Sequence, residues 1–268
     1  MKFLIRALDY LATWFNTLPL WRAQCTVWGQ DMGSATFERW LYLRLHRLGR
    51  MGRAEHALLS RLIRPGMTVV DAGANLGLYT VLFSRLVGPA GRVLAFEPDP
   101  ALFALLQASC RRNGCANVEP HNLALGSRHD RLALKKMAFN SGDNHLGAKG
   151  GGAFRHEISV PVVPLDEVAP GLCPDLFKID VQGWELEVLR GAGRIIEDAP
   201  RCEILLEYWP QGFIRAGYQA CDLISFLEKK GFHLHDAATR APLDAPALVR
   251  LADELTGVRH TDLLAFRP

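Results

Sequence analysis

A chain of 268 residues, 49% hydrophobic and 22% charged, is long enough to bury a substantial core and too evenly mixed for a disordered or fibrous protein. Its formal net charge is +3, and the basic residues, mostly arginine, form no continuous stripe, so nucleic acid is not expected as a partner. Six cysteines lie scattered without CxxC pairs, which favours reduced thiols, no zinc site and a cytoplasmic setting.

In chain order, Leu4, Leu8, Leu11, Phe15 and Leu18 recur at spacings of three and four and predict an amphipathic helix ending near Pro19. Arg6, Asp9 and Asn16 interrupt it, so it falls short of a clean spanning segment or a cleavable leader. Such a face needs a partner. The alternatives are its own domain, a second copy in a homodimer, or a membrane surface touched peripherally, which Lys2, Arg6 and the aromatic residues would suit. A second, arginine-rich helical stretch runs from about Phe37 to Arg64 and is closed by Pro65-Gly66. Residues 1–64 therefore read as a helical extension.

From Met67 strands and helices alternate, the mark of a mostly parallel sheet. Met67 to Ala72 reads as a buried strand, the residues to Gly77 as a tight turn, and the segment from Leu78 as a helix. GRVLAFEPDP supplies a second strand ending at Glu97, ALFALLQASCRRN a helix stopped by Gly114, and NVEPHNLAL a third strand ending around His121-Asn122. The rhythm then changes. RLALKKM and EISVPVVPL alternate as an inserted antiparallel β-hairpin would, and the glycine-rich SGDNHLGAKGGG between them is either a substrate loop or a flexible tip. Parallel order returns with a strand from Leu176 to Asp180, a helix over WELEVLRGAGRII and a strand ending at Glu207. A turn at Pro210-Gln211-Gly212, the helix DLISFLEKKG, the strand FHLHD and a last strand TDLLAFRP follow. No linker divides these elements, so residues 65–268 read as one domain.

The first turn spells DxGxNxG, with Asp71, Gly73, Asn75 and Gly77. Glycine lets the main chain approach a ligand, and Asp71 supplies an acceptor suited to a cationic or amine group. A dinucleotide fingerprint offers only N–H donors to an anion. Glu97 lies about twenty residues past Gly77, the spacing at which an acid takes ribose hydroxyls. Adenosine with a nearby ammonium and carboxylate describes S-adenosylmethionine, its carboxylate facing the turn amides and the helix N-terminus.

VVDAGANLGLYT, FEPDP, NLALG, the SGDN stretch, VPLDEV and DLFKIDVQGWELEVLRGA, in that order from about Met67 to Glu207, resemble the FkbM family of class I S-adenosylmethionine-dependent methyltransferases. The resemblance implies an α/β fold with a Rossmann-like, seven-stranded, mostly parallel sheet, its last strand TDLLAFRP antiparallel beside the fifth. It implies cofactor contacts at Asp71, Gly73, Ala74, Asn75, Gly77, Tyr79 and Thr80, at Glu97 with Pro98 for the ribose, and at Asn122 and Ala124 near the adenine. Asp180, Val181 and Gln182 match the position facing the methionine end and the acceptor. Some family members have Glu where this chain has Gln182, which leaves Asp180 more of the work. By the same resemblance the acceptor is a hydroxyl of a sugar, glycan or specialised metabolite, with N-methylation or a peptide or protein acceptor as the alternative.

An alcohol acceptor must lose its proton, and the candidate bases are Asp180, Glu207 and His145. Each has a plainer role: Asp180 can orient the cofactor's ammonium group, Glu207 can cap a strand, and His145 can be solvated. Ser141, Asp143 and Asn144 on the polar connection are candidate acceptor contacts, as is Lys178, which shares a strand face with Asp180. Glu185 suits the first turn of its helix as a cap. No spacing demands a metal. Readings from other classes are a nicotinamide dehydrogenase, disfavoured by DxGxNxG and NLALG, and a catalytically silent binding protein.

Overall fold

The computed structural model describes residues 24–34, 37–49, 52–137, 144–146, 154–257 and 259–267. Gln24–Val27 (β1) and Gln30–Gly33 (β2) pair as an antiparallel hairpin. Its two-residue turn, Trp28-Gly29, has both φ angles positive, 51° and 74°, as the tight hairpin turns that match strand twist require. Helices Phe37–Arg47 (α1) and Arg53–Leu62 (α2) follow. The segment expected as a helical extension thus also holds a hairpin, and the helical stretch expected from about Phe37 to Arg64 is two helices. QCTV and QDMG carry too few apolar residues to announce strands. The amphipathic segment from Leu4 to Leu18 lies outside the described residues.

Thr68–Ala72 (β3), Leu78–Val87 (α3), Arg92–Phe96 (β4), Pro100–Arg112 (α4) and Val118–His121 (β5) form the expected β-α-β-α-β run. Asp99 starts α4 by accepting the Ala101 N–H at 2.9 Å, with Pro100 in the first helical position. Ala124–Leu125 (β6), Asp130–Met137 (β7), His145–Leu146 (β8) and Phe154–Val163 (β9) build a separate four-stranded sheet in the order β6-β9-β7-β8. The expected antiparallel pair is β7 with β9. NLAL leaves the main sheet and joins this one.

The remaining elements are Leu165–Val168 (α5), Leu176–Ile179 (β10), Glu185–Gly191 (α6), Gly193–Asp198 (α7), Glu203–Tyr208 (β11), Pro210–Ala216 (α8), Ala220–Lys229 (α9), His233–Asp236 (β12), Ala245–Glu254 (α10) and Thr261–Phe266 (β13). WELEVLRGAGRII is therefore two short helices joined at Ala192. The turn expected at Pro210-Gln211-Gly212 is the start of a helix, because proline at a first helical position lacks only an N–H that would have no partner there.

The main sheet runs β12-β13-β11-β10-β3-β4-β5, with β13 antiparallel to both of its neighbours. The pairs β11/β10, β10/β3, β3/β4 and β4/β5 are parallel. This is the seven-stranded order and direction that the resemblance implies. Alternation along each strand divides the core between two faces. Val70, Leu94, Phe177, Ile204 and Leu263 pack on one side with Leu186, Ile195 and Leu227 of the following helices. Val69, Val93, Leu176, Leu205 and Leu264 pack on the other with Leu58, Leu59 and Phe83. With both faces covered, ligands meet the sheet at the carboxyl ends of its parallel strands.

Candidate active site

The turn after β3 closes on itself. Gly73 and Ala74 donate their N–H groups to the Phe96 carbonyl, both at 3.0 Å, and Gly77 donates to Ala74 at 2.9 Å. The Asn75 N–H donates to Glu97 Oε2 and the Leu76 N–H to Asn75 Oδ1, both at 2.8 Å. Every main-chain N–H from Gly73 to Gly77 is thus engaged within the protein. The expectation that these amides face a ligand carboxylate is corrected, and the first turn of α3 is left for that role. Gly73 has φ +88°, and a Cβ on it would overlap the Asp180 carbonyl oxygen. Gly183, at φ +101°, also lies close to Gly212, where a Cβ would come 2.5 Å from the carbonyl oxygen. Main chain touches main chain across three successive loops.

A cavity of about 460 Å³ opens along these loops. Asp71, Gly73, Ala74, Asn75 and Tyr79 line it from the first turn and helix, and Glu97 and Pro98 from the end of β4. Ala124 lines it from β6, while Lys178, Asp180, Val181 and Gln182 come from β10 and its loop, and Glu207 from β11. Gly77, Thr80 and Asn122 are not part of the wall. The Thr80 hydroxyl donates to Asp71 Oδ2 at 2.6 Å, and the Asn122 amide holds the carbonyls of Glu97 and Pro98 at 2.8 and 3.2 Å. They support the wall from behind.

His145 is also misplaced by the sequence reading. It sits buried in β8, opposite Lys135 of β7. Asn144 and Leu146 line the cavity, so period-two alternation turns the residue between them to the other side. Ser141 and Asp143 lie outside the described residues.

The cavity wall is unusually acidic. Glu97 is buried, with Oε1 accepting the Asp99 N–H at 2.8 Å, and burial pushes its carboxyl up to about 8. Lys178, 4% exposed at its side chain, places Nζ 3.2 Å from Asp180 Oδ2 and 5.1 Å from the Tyr79 ring centre. Burial opposes its charge, but Asp180, Glu55, Asp71 and Asp262 outweigh that and raise the ammonium above its usual range. Asp180 opens to the cavity. Burial would raise its carboxyl, yet Lys178 and the Gln182 amide hold it below the usual range.

Gln182 occupies the left-handed region at φ 55°, a conformation that costs a non-glycine residue free energy and recurs at functional sites. Its amide bridges Asp180 Oδ1 at 3.1 Å and Glu207 Oε2 at 2.9 Å. Burial, with Asp180, Glu185 and Asp262 nearby, raises the Glu207 carboxyl well above its ordinary value. Glu185 accepts the N–H groups of Val181 and Gly183 at 3.1 and 3.2 Å, a role inside the protein.

Sequence reasoning missed several wall and support residues. Tyr42 of α1 lines the cavity, and Glu55 of α2 accepts a hydrogen bond from the Tyr79 hydroxyl. Neither belongs to a recognisable motif. His260, whose Nε2 is 3.7 Å from Glu207 Oε1, precedes β13. An antiparallel strand begins at the edge where its parallel neighbours end, and that signal was available. Trp209 and Arg215 line the cavity from the junction with α8 and its last turn. Among the described residues, no group of three or more His, Cys, Asp or Glu could hold a metal ion, and no helix is long and apolar enough to cross a membrane.

A family profile described as the Methyltransferase FkbM domain matches residues 71–234. The chain is 34% identical over 145 residues to Methyltransferase 1 of Beauveria bassiana, a match covering 46% of this chain and 57% of that protein. It is 29% identical over 206 residues to Methyltransferase sdnD of Sordaria araneosa, covering 65% and 77%. It is 31% identical over 170 residues to 31-O-demethyl-FK506 methyltransferase FkbM of Streptomyces tacrolimicus, covering 51% and 62%. The first and third matches span less than two thirds of the relative's length.

Proposed function

The chain belongs to the FkbM methyltransferase family, and from that premise we propose that it transfers the methyl group of S-adenosylmethionine to a hydroxyl oxygen of a small-molecule or glycan acceptor. One observation carries the cofactor: Asp71, Glu97, Asp180 and Glu207 all face a single cavity whose turn amides from Gly73 to Gly77 are already engaged. That arrangement suits a cationic ligand and disfavours a pyrophosphate. Asp71 Oδ1 is buried with no hydrogen-bond partner among the described residues, which fits an acid left for the field of a cation. The relative named for a 31-O-demethyl compound supports oxygen as the acceptor atom.

Bound there, S-adenosylmethionine supplies an electrophilic methyl group. Glu97 keeps lone pairs on both oxygens for ribose hydroxyls, and Leu123, Ala124 and Leu125 offer an apolar wall for the adenine. Asp180, held ionised by Lys178, takes the ammonium group. Glu207, aligned by the Gln182 amide, reaches toward the acceptor space. The indoles of Trp184 and Trp209 keep water from that end. The division at residues 64 and 65 belongs to the same proposal, as does a membrane-peripheral or homodimer contact through the amphipathic segment from Leu4 to Leu18.

Thermal unfolding with S-adenosylhomocysteine or NAD tests the cofactor, because a ligand that binds only the folded chain raises its stability. Stabilisation by S-adenosylhomocysteine is expected, and stabilisation by NAD alone would sink the reading. Mass spectrometry of hydroxylated acceptors incubated with trideuteromethyl-labelled cofactor then reads the acceptor atom. A label found only on nitrogen would transfer the reading to N-methylation.

A further inference from the structure

The cations lining the cavity differ in what they already bind. Lys178 is paired with Asp180, and His260 lies against Glu207. Among the described residues Arg215 has no carboxylate within ion-pair distance and no hydrogen-bond acceptor. Its guanidinium carbon instead sits 4.6 Å from the centre of the Trp209 ring. That ring is a fixed platform, 5% exposed, with Nε1 donating to the Gly257 carbonyl at 2.7 Å. Stacking orients a guanidinium without using its in-plane N–H donors, which match the oxygens of a carboxylate or phosphate.

Position in the sheet gives this arginine its meaning. The first turn and Glu97 follow β3 and β4, whereas Trp209 and Arg215 follow β11. β10 lies between them in the sheet. The cofactor contacts therefore belong to one end of the cavity and Arg215 to the other. Asp180, held ionised by Lys178, lies on β10 between the two ends, and an anion finds its opposite charge at the Arg215 end. The geometry points to a subsite in which Arg215, braced by Trp209, binds an anionic group, carboxylate or phosphate, on a polyhydroxylated methyl acceptor. This rests on the methyl-transfer reading and narrows its acceptor. Held by its anion, such a ring presents only the hydroxyls on its far side to the methyl group.

Calorimetric titration of the full chain saturated with S-adenosylhomocysteine tests it, using D-glucuronate, glucose 6-phosphate and D-glucose as probes. At least one of the two anions binds tenfold or more tightly than glucose, and which one does identifies carboxylate or phosphate. Arg215→Gln removes that preference and Arg215→Lys restores part of it, while affinity for S-adenosylhomocysteine stays within twofold. Lack of any anion preference in the wild type overturns the subsite, as does a preference that survives Arg215→Gln. A tenfold loss of S-adenosylhomocysteine affinity in Arg215→Gln also overturns it, since the arginine would then serve the cofactor's own carboxylate. Failure of the wild type to bind S-adenosylhomocysteine strikes the cofactor reading, and the subsite falls with it.

Discussion

Lys178 brings one buried positive charge among the carboxylates of Asp71, Asp180, Glu55 and Asp262. Removing one partner of a buried ion pair leaves its counter-charge uncompensated, and because the Asp180 side chain is 41% exposed the cost here falls to about 1–3 kcal/mol. Lys178→Met should lower the urea unfolding free energy by about that amount. A loss below about 1 kcal/mol would mean that the carboxylates simply protonate or hydrate. The acids at strand ends were legible because a parallel sheet delivers those positions to its ligand edge, which is how Asp71, Glu97, Asp180 and Glu207 were found. Glu55 and Asp262 were not, because their approach depends on how an upstream helix and an antiparallel strand pack. His145 failed for a local reason: whether residue 145 faces the cavity depends on the register of a two-residue strand.

Elements meet at this site through their turns, and the turn after β3 is the most constrained. Gly73→Ala combines a left-handed φ with overlap against the Asp180 carbonyl, whereas Gly217→Ala at φ +98° meets open space. Backbone strain alone costs about 1–3 kcal/mol. Gly217→Ala should therefore unfold at modestly lower denaturant and bind S-adenosylhomocysteine normally. Gly73→Ala should lose binding by at least a hundredfold or fail to fold; binding near the wild-type value in a folded Gly73→Ala protein would contradict the contact. The alternating strands and the insertion were readable from periodicity. Helix α8 was not, since PQG reads equally as a turn and as a helix start, and only its packing decides.

For the whole molecule, buried acids set the response to pH. Burial raises Glu97 to about 8, Glu185 to about 7 and Asp262 to about 7. Each folded-state value lies above the unfolded one, so the folded chain holds these protons longer as pH rises. Their stabilising contribution is complete below the unfolded carboxylate range and is lost as pH climbs through about 7 to 8. The melting temperature of the ligand-free protein should fall from about pH 5 to about pH 8, and Glu97→Gln should flatten the upper part of that fall. A profile equally steep in that variant would assign the loss to other groups. The seven-stranded sheet with its antiparallel last strand was accessible through the family resemblance, and strands such as Thr68–Ala72 and Glu203–Tyr208 through their own apolar runs, whereas VEPH at Val118–His121 carries none. The depth to which those acids are buried was not, because it arises only when the strands and the upstream helices close around them.

The main-chain contacts of Gly73 with Asp180 and of Gly183 with Gly212 bear on how such a protein diversifies. Where backbone rests on backbone there is no side chain to trim or enlarge, so the rail beneath the ligand offers selection almost no intermediate forms. Trp184, Gln182 and Arg215 project from that rail into the cavity and can be exchanged without moving it. A library randomised across the site should return glycine alone at positions 73 and 183. It should accept varied residues at 184 and 215, and these become the positions through which one inherited methyl donor is directed to new acceptors.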